Sequence, residues 1–496
     1  MSIADPRSPI PDRRLPIVLA LLFLLSLPLV TTRIYASDEV QFFAWIRSWA
    51  FDRDVDFENE YRHFQAGDAG RYKLFSDTLL GLVNENNRRV NFAPIGCAVL
   101  WSPFYAAGHV VARVTGAPAD GYSQPYVSAV AYGSAFYGFL AVLLSADIAR
   151  RTVGRGALAA AVIAIGTPLV YYIYISPPFS HATSAFAVSL FIWTWLRVRH
   201  AWTPRAMVAL GATGALMAMV REQDVFFVIG PALDYMRALV VTVRAEPANS
   251  RARLAGGGLV LAAIGAAAFV LVYSPQLLAY QALNGHPSQT TLVTRKLTWT
   301  SPHALEVLFS PQNGLFAWTP LAAIAIAGLV WLAIGGDRRA KALRLRTEGM
   351  PPEGAADAGW IGICALVMVA GQIYISGAVE SWTVAGSFGQ RRFVALTPLL
   401  TLGLAAVLAA VQPGLPTRPP SGRQIATRVA VVVTLGLCIW WNVGLIAQFG
   451  LHRMDRQRLS LGHNARQTFI ELPREAPAIV YRYLTDRESF YRLPRH

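Results

Sequence analysis

Charged residues are scarce in this chain of 496 residues. They make up 15% of the sequence, whereas soluble domains contain about 25%. Hydrophobic residues make up 54%, and the mean hydropathy is +0.39. Several apolar runs reach about 20 residues, which is the length that an α-helix needs to cross a bilayer. The composition therefore excludes a soluble globular protein and predicts an all-α polytopic membrane protein.

Cysteine is also rare, and its three positions lack the close spacing of a metal site or a redox pair. We expect Cys97, Cys364 and Cys438 to be buried, inert thiols, because their surroundings are apolar. The sequence contains no Walker loop, no GxSxG motif and no HExxH motif. It also lacks a soluble nucleotide-binding domain. If the protein is a transferase, its donor would therefore come from the membrane.

The positive charge of the chain is concentrated in short loops between apolar runs, although the formal net charge is +15. Such loops are typical of the cytoplasmic side of membrane proteins, so we do not expect nucleic acid as a partner. A basic segment with Arg7, Arg13 and Arg14 precedes the first apolar run at 15–32. We therefore predict a cytoplasmic N-terminus. The run ends without an obvious small-residue cleavage site and the acidic pair follows at once, so we predict that it stays as an uncleaved first span.

The pattern of apolar runs and basic loops predicts about eleven membrane spans. After the first helix they are expected at 125–147, 157–175, 182–198, 206–220, 225–243, 255–275, 316–335, 357–377, 391–411 and 428–447. The multi-span catalytic domain would cover 1–447, and 448–496 would form an extracytoplasmic tail. A long first extracytoplasmic loop is predicted at 33–124.

One segment of that first loop, 92–112, is itself apolar enough to span a membrane. Pro94, Gly96 and Pro103 interrupt it, and each of these residues weakens a continuous helix. A crossing here would also place the basic loop after 125–147 outside the cell, against the charge rule. We therefore predict interfacial helices that lie on, or dip into, the outer face.

Two adjacent carboxylates, Asp38 and Glu39, follow the first apolar run. Acidic residues at a membrane edge are functional candidates, because they are costly to hold there. They would act as a general base toward an acceptor hydroxyl, as ligands of a divalent cation, or as both. The alternative is that the pair caps the N-terminus of the next helix, where carboxylates are favourable.

Two arginine pairs are candidate anion sites at the predicted outer face. Arg88-Arg89 lie in the first loop, and Arg391-Arg392 begin a predicted span. Arginine is always charged and binds phosphate oxygens in a bidentate manner. The alternative for both pairs is interfacial snorkelling, which is common for arginine at helix ends.

Four further residues at the same face are candidates for substrate contact. His181 follows two prolines at the mouth of a span and is predicted to contact substrate or a metal ion, or else to be a hydrogen-bonded structural residue. Arg221, Glu222 and Asp224 lie together at another span end. They are predicted to bind substrate or to form an ion-pair network of their own.

Two stretches of the first loop carry a family resemblance. Ser37-Asp38-Glu39 precede an aromatic-rich segment ending at Arg47, and 91–101 reads Asn-Phe-Ala-Pro-Ile-Gly-Cys-Ala-Val-Leu-Trp. An acid pair after one span, followed later by a Pro-containing motif, resembles the membrane-embedded type C (GT-C) glycosyltransferases, in particular lipid A aminoarabinose transferases and protein O-mannosyltransferases. The chain departs from that pattern at 91–93, where the family often has Lys or His, and at Ser180-His181, where a second acid is expected.

This resemblance implies an integral membrane glycosyltransferase of the bacterial cytoplasmic (inner) membrane, with an active site facing the periplasm or exterior. The donor would be a polyprenyl-phosphate sugar, and the acceptor a glycan, lipid or protein. Asp38 would be the catalytic acid-base or metal-linked residue, and the donor phosphate would bind near outer-face cations. The predicted cofactor is a divalent ion (Mg²⁺, Mn²⁺ or Zn²⁺) held by Asp38 and His181.

The alternative function is a transporter or flippase of lipid-linked glycans. Such a protein is expected to have ionisable residues near the bilayer midplane and repeated halves with broken helices. In this sequence the acids lie at the edges of spans, and no repeated halves are visible. The pattern therefore favours the transferase.

Overall fold

The computed structural model describes residues 14–67, 75–300, 302–344, 357–384, 386–411 and 421–490. Within these ranges the regular structure is helical, and the described β-pairing consists of two isolated bridges, Val83–Arg89 and Leu297–Val379. The prediction of an all-α polytopic chain is confirmed.

Twenty α-helices are described, and they are numbered here in chain order. They are α1 Arg14–Ser26, α2 Ser37–Arg47, α3 Glu58–Ala66, α4 Gly96–Thr115, α5 Gln124–Val153, α6 Ala157–Gly166, α7 Leu169–Tyr174, α8 Ser180–Val198, α9 Pro204–Val220, α10 Ile229–Ala245, α11 Ala248–Asn284, α12 Thr291–Thr294, α13 Glu306–Phe309, α14 Leu315–Trp318, α15 Pro320–Arg344, α16 Ala358–Ala378, α17 Thr397–Val411, α18 Gly422–Gly450, α19 Leu461–Arg466 and α20 Leu472–Thr485. The 3₁₀ segments Glu222–Val228 and Arg391–Leu396 lead into α10 and α17.

Six helical segments of the described chain are long and apolar enough to cross a membrane. They are Gln124–Val153, Glu222–Ala245, Ala248–Asn284, Ala358–Ala378, Arg391–Val411 and Gly422–Gly450. Shorter apolar helices lie at Ile17–Leu29, Ala157–Gly166, Pro204–Val220 and Pro320–Gly335. These segments fall on the predicted spans and establish a multi-pass membrane protein, while the count of eleven and the orientation stay predictions.

The span expected at 157–175 is broken in the structure. Helix α6 ends at Gly166, Thr167 is extended (φ −129°, ψ 169°), and α7 begins after Pro168. A proline lacks the N–H that the helix needs, and it disfavours helical geometry at the residue before it. The amide of Asn442 donates hydrogen bonds to the Ile165 and Thr167 carbonyls at 2.8 and 3.0 Å, so the broken backbone is satisfied inside the protein.

The interrupted segment 92–112 forms one continuous helix, α4, from Gly96 to Thr115, with Pro103 inside it. Trp101 and Tyr105 are buried, and α4 packs against α5. Tertiary packing therefore outweighs the local cost of the proline. We predicted several helices here, and a single one is found; its placement on the outer face stays a prediction.

The centre of the helix bundle is formed by α5, α8, α15 and α17, which pack on one another. The backbones of α15 and α17 approach closely because both carry glycine at the crossing, Gly328 and Gly403. A Cβ at Gly403 would lie 2.0 Å from the Ala325 carbonyl oxygen. Small residues at such crossings are typical of helix association in membranes.

A buried ion pair joins three helices at the end of α8 opposite His181. Arg199 donates to both carboxylate oxygens of Asp234 at 2.9 Å, and its remaining nitrogen bonds Asp357 at 3.0 Å. The indole nitrogens of Trp195 and Trp360 also donate to Asp234, at 2.9 and 3.0 Å. Because these charges are so fully paired, we interpret the network as structural.

The predicted boundary at 447/448 falls inside α18, and residues near the C-terminus contact the 3₁₀ segment Leu27–Leu29, which follows α1. Arg487 donates to the Pro28 carbonyl at 2.8 Å, and the Tyr483 hydroxyl donates to the Leu29 carbonyl at 3.4 Å. The C-terminal segment therefore packs against the chain that follows α1. The division into two domains stays a prediction.

Candidate active site

Glu39 caps the helix that carries the acid pair. Its Oε2 accepts hydrogen bonds from the backbone N–H groups of Tyr35 and Ala36, at 2.9 and 3.0 Å, just before α2 begins. The side chain is fully buried, and burial raises the pKa of the Glu39 carboxyl to about 7. The capping alternative therefore describes Glu39, whose carboxyl has no path to bulk solvent.

Asp38 is partly exposed and faces a different partner. Its Oδ2 lies 2.7 Å from Nη1 of Arg391, and the two side chains are 37% and 22% exposed. The predicted acid and one predicted cation, 353 positions apart in sequence, are thus in direct contact. A substrate group can reach this carboxylate, because more than a third of the side chain stays open.

Three guanidinium groups lie close to one another at this place. The charges of Arg221, Arg391 and Arg392 interact, and all three act on His181. We call these three residues the arginine cluster. Like charges in proximity are unfavourable without an anion, so the cluster is suited to bind a phosphate.

Each member of the cluster is held by a different contact. Arg221 donates from Nη1 to Nδ1 of His181 at 3.2 Å. The Arg391 guanidinium lies 5.4 Å from the centre of the Phe179 ring. Arg392 donates to the Ser376 carbonyl at 3.2 Å and to the Ser381 hydroxyl at 3.1 Å. His181, at 4% exposure, is therefore both a hydrogen-bonded residue and a neighbour of the cluster.

These residues are brought together because they lie where helices begin or end. Arg221 ends α9, His181 lies in the first turn of α8, and Arg391 opens the 3₁₀ segment that leads into α17. Just before Arg391, Gly389 has φ +62°, and a Cβ there would lie 2.7 Å from Pro168. Only glycine combines that backbone conformation with that close approach, and the turn directs the chain toward Asp38.

Glu222 and Asp224 do not share one ion-pair network with Arg221. Glu222 accepts hydrogen bonds from the hydroxyls of Tyr273 (3.2 Å) and Tyr280 (2.7 Å). Asp224 is fully buried and accepts from the Ser184 hydroxyl at 2.6 Å. Asp224 still acts on the charge of Arg221, so it lies beside the cluster, whereas Glu222 is directed toward α11.

The first-loop arginines lie elsewhere. Arg89 forms an ion pair with Glu58 and donates to the Leu80 carbonyl. The backbone of Arg88 is held by the Asn84 side chain at 2.9 Å. Among the contacts of the described chain, neither arginine reaches Asp38 or the arginine cluster. The substrate role predicted for this pair stays a prediction without a geometric link to the other candidates.

The surroundings of Asp38 and His181 do not favour a divalent cation. Within the described ranges, no group of three or more His, Cys, Asp or Glu side chains is placed to hold a metal ion. Asp38 is engaged by Arg391, and Nδ1 of His181 faces Arg221. Three guanidinium charges next to these two donors oppose a further cation. Metal binding by Asp38 and His181 stays a prediction.

Sequence reasoning missed the residues that support the acid pair. The Tyr35 hydroxyl lies 2.8 Å from Oγ of Ser176 and 3.4 Å from the Tyr171 hydroxyl, which ties the start of α2 to the segment before α8. The Ser-Pro-Pro-Phe-Ser-His run at 176–181 was a visible signal, but we assigned a role to its histidine alone. Phe179 in the same run contacts Arg391.

No protein-family profile and no curated protein matches this sequence. Among solved structures, the fold is similar to ArnT from Cupriavidus metallidurans bound to undecaprenyl phosphate, with TM-score 0.43, 16% identity, and coverage of 96% of this chain and 78% of that chain. It is also similar to the Archaeoglobus fulgidus oligosaccharyltransferase in the apo form, with TM-score 0.41, 12% identity, and coverage of 95% and 59%.

The described chain spans 59% of the oligosaccharyltransferase. The class of this protein, a helical multi-pass membrane protein, rests on its own helices.

Proposed function

We propose that this protein is an integral membrane glycosyltransferase that moves a sugar from a polyprenyl-phosphate donor to a glycan, lipid or protein acceptor at the extracytoplasmic face of the bacterial inner membrane. One observation carries the proposal. A partly exposed carboxylate, Asp38, lies 2.7 Å from Arg391, which belongs to a cluster of three arginines. A base and a phosphate site are thus adjacent, as this reaction requires.

The arginine cluster supplies the phosphate site in this proposal. Guanidinium groups bind phosphate oxygens through charge-assisted hydrogen bonds, and they stabilise the negative charge that develops on a departing phosphate. Arg391 is the member nearest to Asp38, since the two are in contact. The phosphate would therefore lie at the arginine cluster, and the scissile bond, between the anomeric carbon and the phosphate oxygen, would lie beside the Arg391–Asp38 contact.

Asp38 supplies the base. An acceptor hydroxyl attacks the anomeric carbon while its proton passes to the Asp38 carboxylate, and the carbon–oxygen bond to the phosphate breaks with both electrons leaving on the phosphate. Direct displacement inverts the configuration at the anomeric carbon. Retention in the product, measured by the coupling of the anomeric proton in NMR, would contradict this mechanism.

Glu39 is a positioning residue in this proposal. Its carboxyl holds the N–H groups of Tyr35 and Ala36, and this cap fixes the first turn of α2, on which Asp38 lies. Glu39 therefore acts on the reaction through the orientation of its neighbour.

The test is the Asp38→Asn variant in membranes supplied with a radiolabelled polyprenyl-phosphate sugar. Asparagine keeps the size of the side chain and cannot accept a proton, so we expect transfer to fall by about 10²–10⁴-fold, the usual contribution of a general base. The matched control is Asp77→Asn, an exposed acid of the same loop, which should leave transfer unchanged.

Undiminished transfer by Asp38→Asn at equal protein amounts would refute the assigned base. Movement of the labelled lipid across the bilayer, without transfer of the sugar by the wild-type protein, would instead support the transporter or flippase. The two outcomes are measured in the same vesicles, so the functions are distinguished directly.

A further inference from the structure

An apolar cavity of about 370 Å³ lies beneath the C-terminal segment. Its walls come from the segment after α1, helix α7, the second half of α18, the turn that follows α18, and helix α20 with the residues next to it. The volume falls in the range of about 300–1,000 Å³ that is usual for ligand sites. The proposed reaction does not use this cavity.

A stack of aromatic rings separates the cavity from the arginine cluster. Tyr171 lines the cavity and stacks on Phe388, with ring centroids 4.7 Å apart. The next residue, Tyr172, donates to the Phe388 carbonyl at 3.0 Å and interacts with the charge of Arg391. Tyr171 therefore faces the cavity and Tyr172 faces the cluster, so the Tyr171–Phe388 stack lies between the two.

The mouth of the cavity is formed by exposed aliphatic side chains. Among the residues that line it, Leu29, Val443, Val480 and Leu484 are 42%, 37%, 55% and 72% exposed. Exposed aliphatic side chains of this kind face acyl chains in a membrane. Helix α20 also carries Arg474 and Arg482, and apolar helices with arginine on the polar side are typical of the bilayer interface.

The rim of the cavity carries a guanidinium group, that of Arg456. Burial and the charge of Arg456 lower the pKa of the neighbouring His452, and the described lining contains no Asp or Glu. The Arg456 guanidinium lies 4.4 Å from the centre of the Phe449 ring, and its Nη2 donates to the Phe449 carbonyl at 3.4 Å. Its Nε, in contrast, is buried and has no hydrogen-bond partner among the described atoms.

A buried N–H group without an acceptor is costly, and a phosphate oxygen is the acceptor that a guanidinium binds best. We infer that this cavity binds one hydrocarbon chain of an anionic membrane phospholipid, with a phosphate oxygen accepting the hydrogen bond of Arg456 Nε. The lipid is bound in addition to the sugar donor, because the cavity has its own guanidinium group, that of Arg456, and lies behind the Tyr171–Phe388 stack.

The experiment uses the full-length protein in phosphatidylcholine nanodiscs that contain a trace of phosphatidylglycerol with a diazirine at the end of one chain. After photolysis, mass spectrometry locates the labelled peptides. We expect label at 443–456 and 479–490, and weaker label when the diazirine is on phosphatidylcholine. Equal labelling by both lipids, or label spread over all exposed helices, would overturn the proposal.

Substitutions in the cavity test whether the labelled lipid is bound there. Arg456→Gln removes the charged donor, so labelling should fall about tenfold, and Arg456→Lys, which keeps the charge, should retain part of it. Ala447→Trp fills the cavity and should abolish labelling. The control is Val433→Trp, 53% exposed on the same helix and outside the cavity, which should label like wild type.

If Ala447→Trp fails to fold by size-exclusion chromatography, the Arg456 variants decide the result. Wild-type labelling in Arg456→Gln would overturn the proposal. Competition identifies the source of the lipid: unlabelled phosphatidylglycerol should displace the probe. Displacement by polyprenyl phosphate at equal concentration, with no effect of phosphatidylglycerol, would assign the cavity to the donor chain and would also overturn the proposal. None of these results depends on glycosyl transfer.

Discussion

Two neighbouring carboxyl groups have different environments because they lie on different sides of one helix turn. Glu39 is fully buried and accepts backbone N–H groups, whereas Asp38 is 37% exposed and pairs with Arg391. The residues alone left both as candidates, and only the family resemblance singled out Asp38 as the direct actor. The side-chain directions separate them into a positioning residue and a candidate base.

The pKa of Glu39 gives a prediction for stability. A folded-state pKa of about 7, above the unfolded value of 4.5, means that the folded protein holds this proton more tightly than the unfolded chain. The stabilisation is complete below pH 4.5 and is lost as the pH rises through 7. Between pH 5 and pH 8 the loss is on the order of 2–3 kcal/mol in the free energy of unfolding.

The measurement compares wild type with Glu39→Gln by SDS-induced unfolding in detergent micelles from pH 5 to pH 8. The variant carries no titrating group there, so its stability relative to wild type should increase with pH. Burial also raises the pKa of Glu60 to about 7, but Glu60 is unchanged in both proteins and cancels in the difference. Parallel pH curves for the two proteins would contradict the prediction.

At the scale of elements, the candidate site is built where helices stop. Pro168 ends one expected span early, Gly389 turns the chain with φ +62°, and Arg221 ends α9. Broken helices inside a membrane protein are tolerated where other side chains satisfy the free backbone groups, as Asn442 does here. These stops bring polar residues from three helices to one place.

The crossing of α15 and α17 gives a prediction about packing. Gly403→Ala places a methyl group 2.0 Å from the Ala325 carbonyl oxygen, so the helices must separate. We expect a loss of about 1–3 kcal/mol in the free energy of unfolding, the usual cost of overpacking. The control, Gly436→Ala in α18, has no heavy atom within 4 Å of the new methyl group and should be neutral or slightly stabilising. Equal stabilities of the two variants would show that the crossing is not tight.

At the scale of the whole molecule, the orientation in the membrane follows from the charge rule and is open to a direct test. Asp77 belongs to the predicted extracytoplasmic loop, and Ala201 lies between α8 and α9 on the predicted cytoplasmic side; both are exposed. The three native cysteines are buried and can be replaced by alanine as a background.

In that background, Asp77→Cys should react with a membrane-impermeant maleimide in spheroplasts. Ala201→Cys should react only after the membrane is disrupted. The reversed pattern would place Asp38 on the cytoplasmic side and would remove the basis for an extracytoplasmic reaction. The readout is the mass shift of the protein on a gel, and it requires no activity.

The sequence by itself determined the class of this protein and most of its helices. Long apolar runs with little charge have no stable alternative to helices in lipid, because each backbone N–H and C=O must be paired within its own segment. The predicted spans at 125–147, 357–377 and 428–447 therefore fall on α5, α16 and α18. The same reasoning selected Asp38, which follows such a run, as a candidate catalytic residue, and that role stays a prediction.

Only the tertiary structure decided which candidates belong together. Asp38 and Arg391 are far apart in sequence, and no local pattern states that they meet at 2.7 Å or that Arg89 pairs with Glu58. The two prolines also have different effects: the helix is interrupted at Pro168 and continues through Pro103. The sequence does not distinguish them, because the outcome depends on the packing partners of each helix. Local propensity fixes elements whose surroundings are uniform lipid, whereas contacts between helix ends depend on how the whole bundle packs.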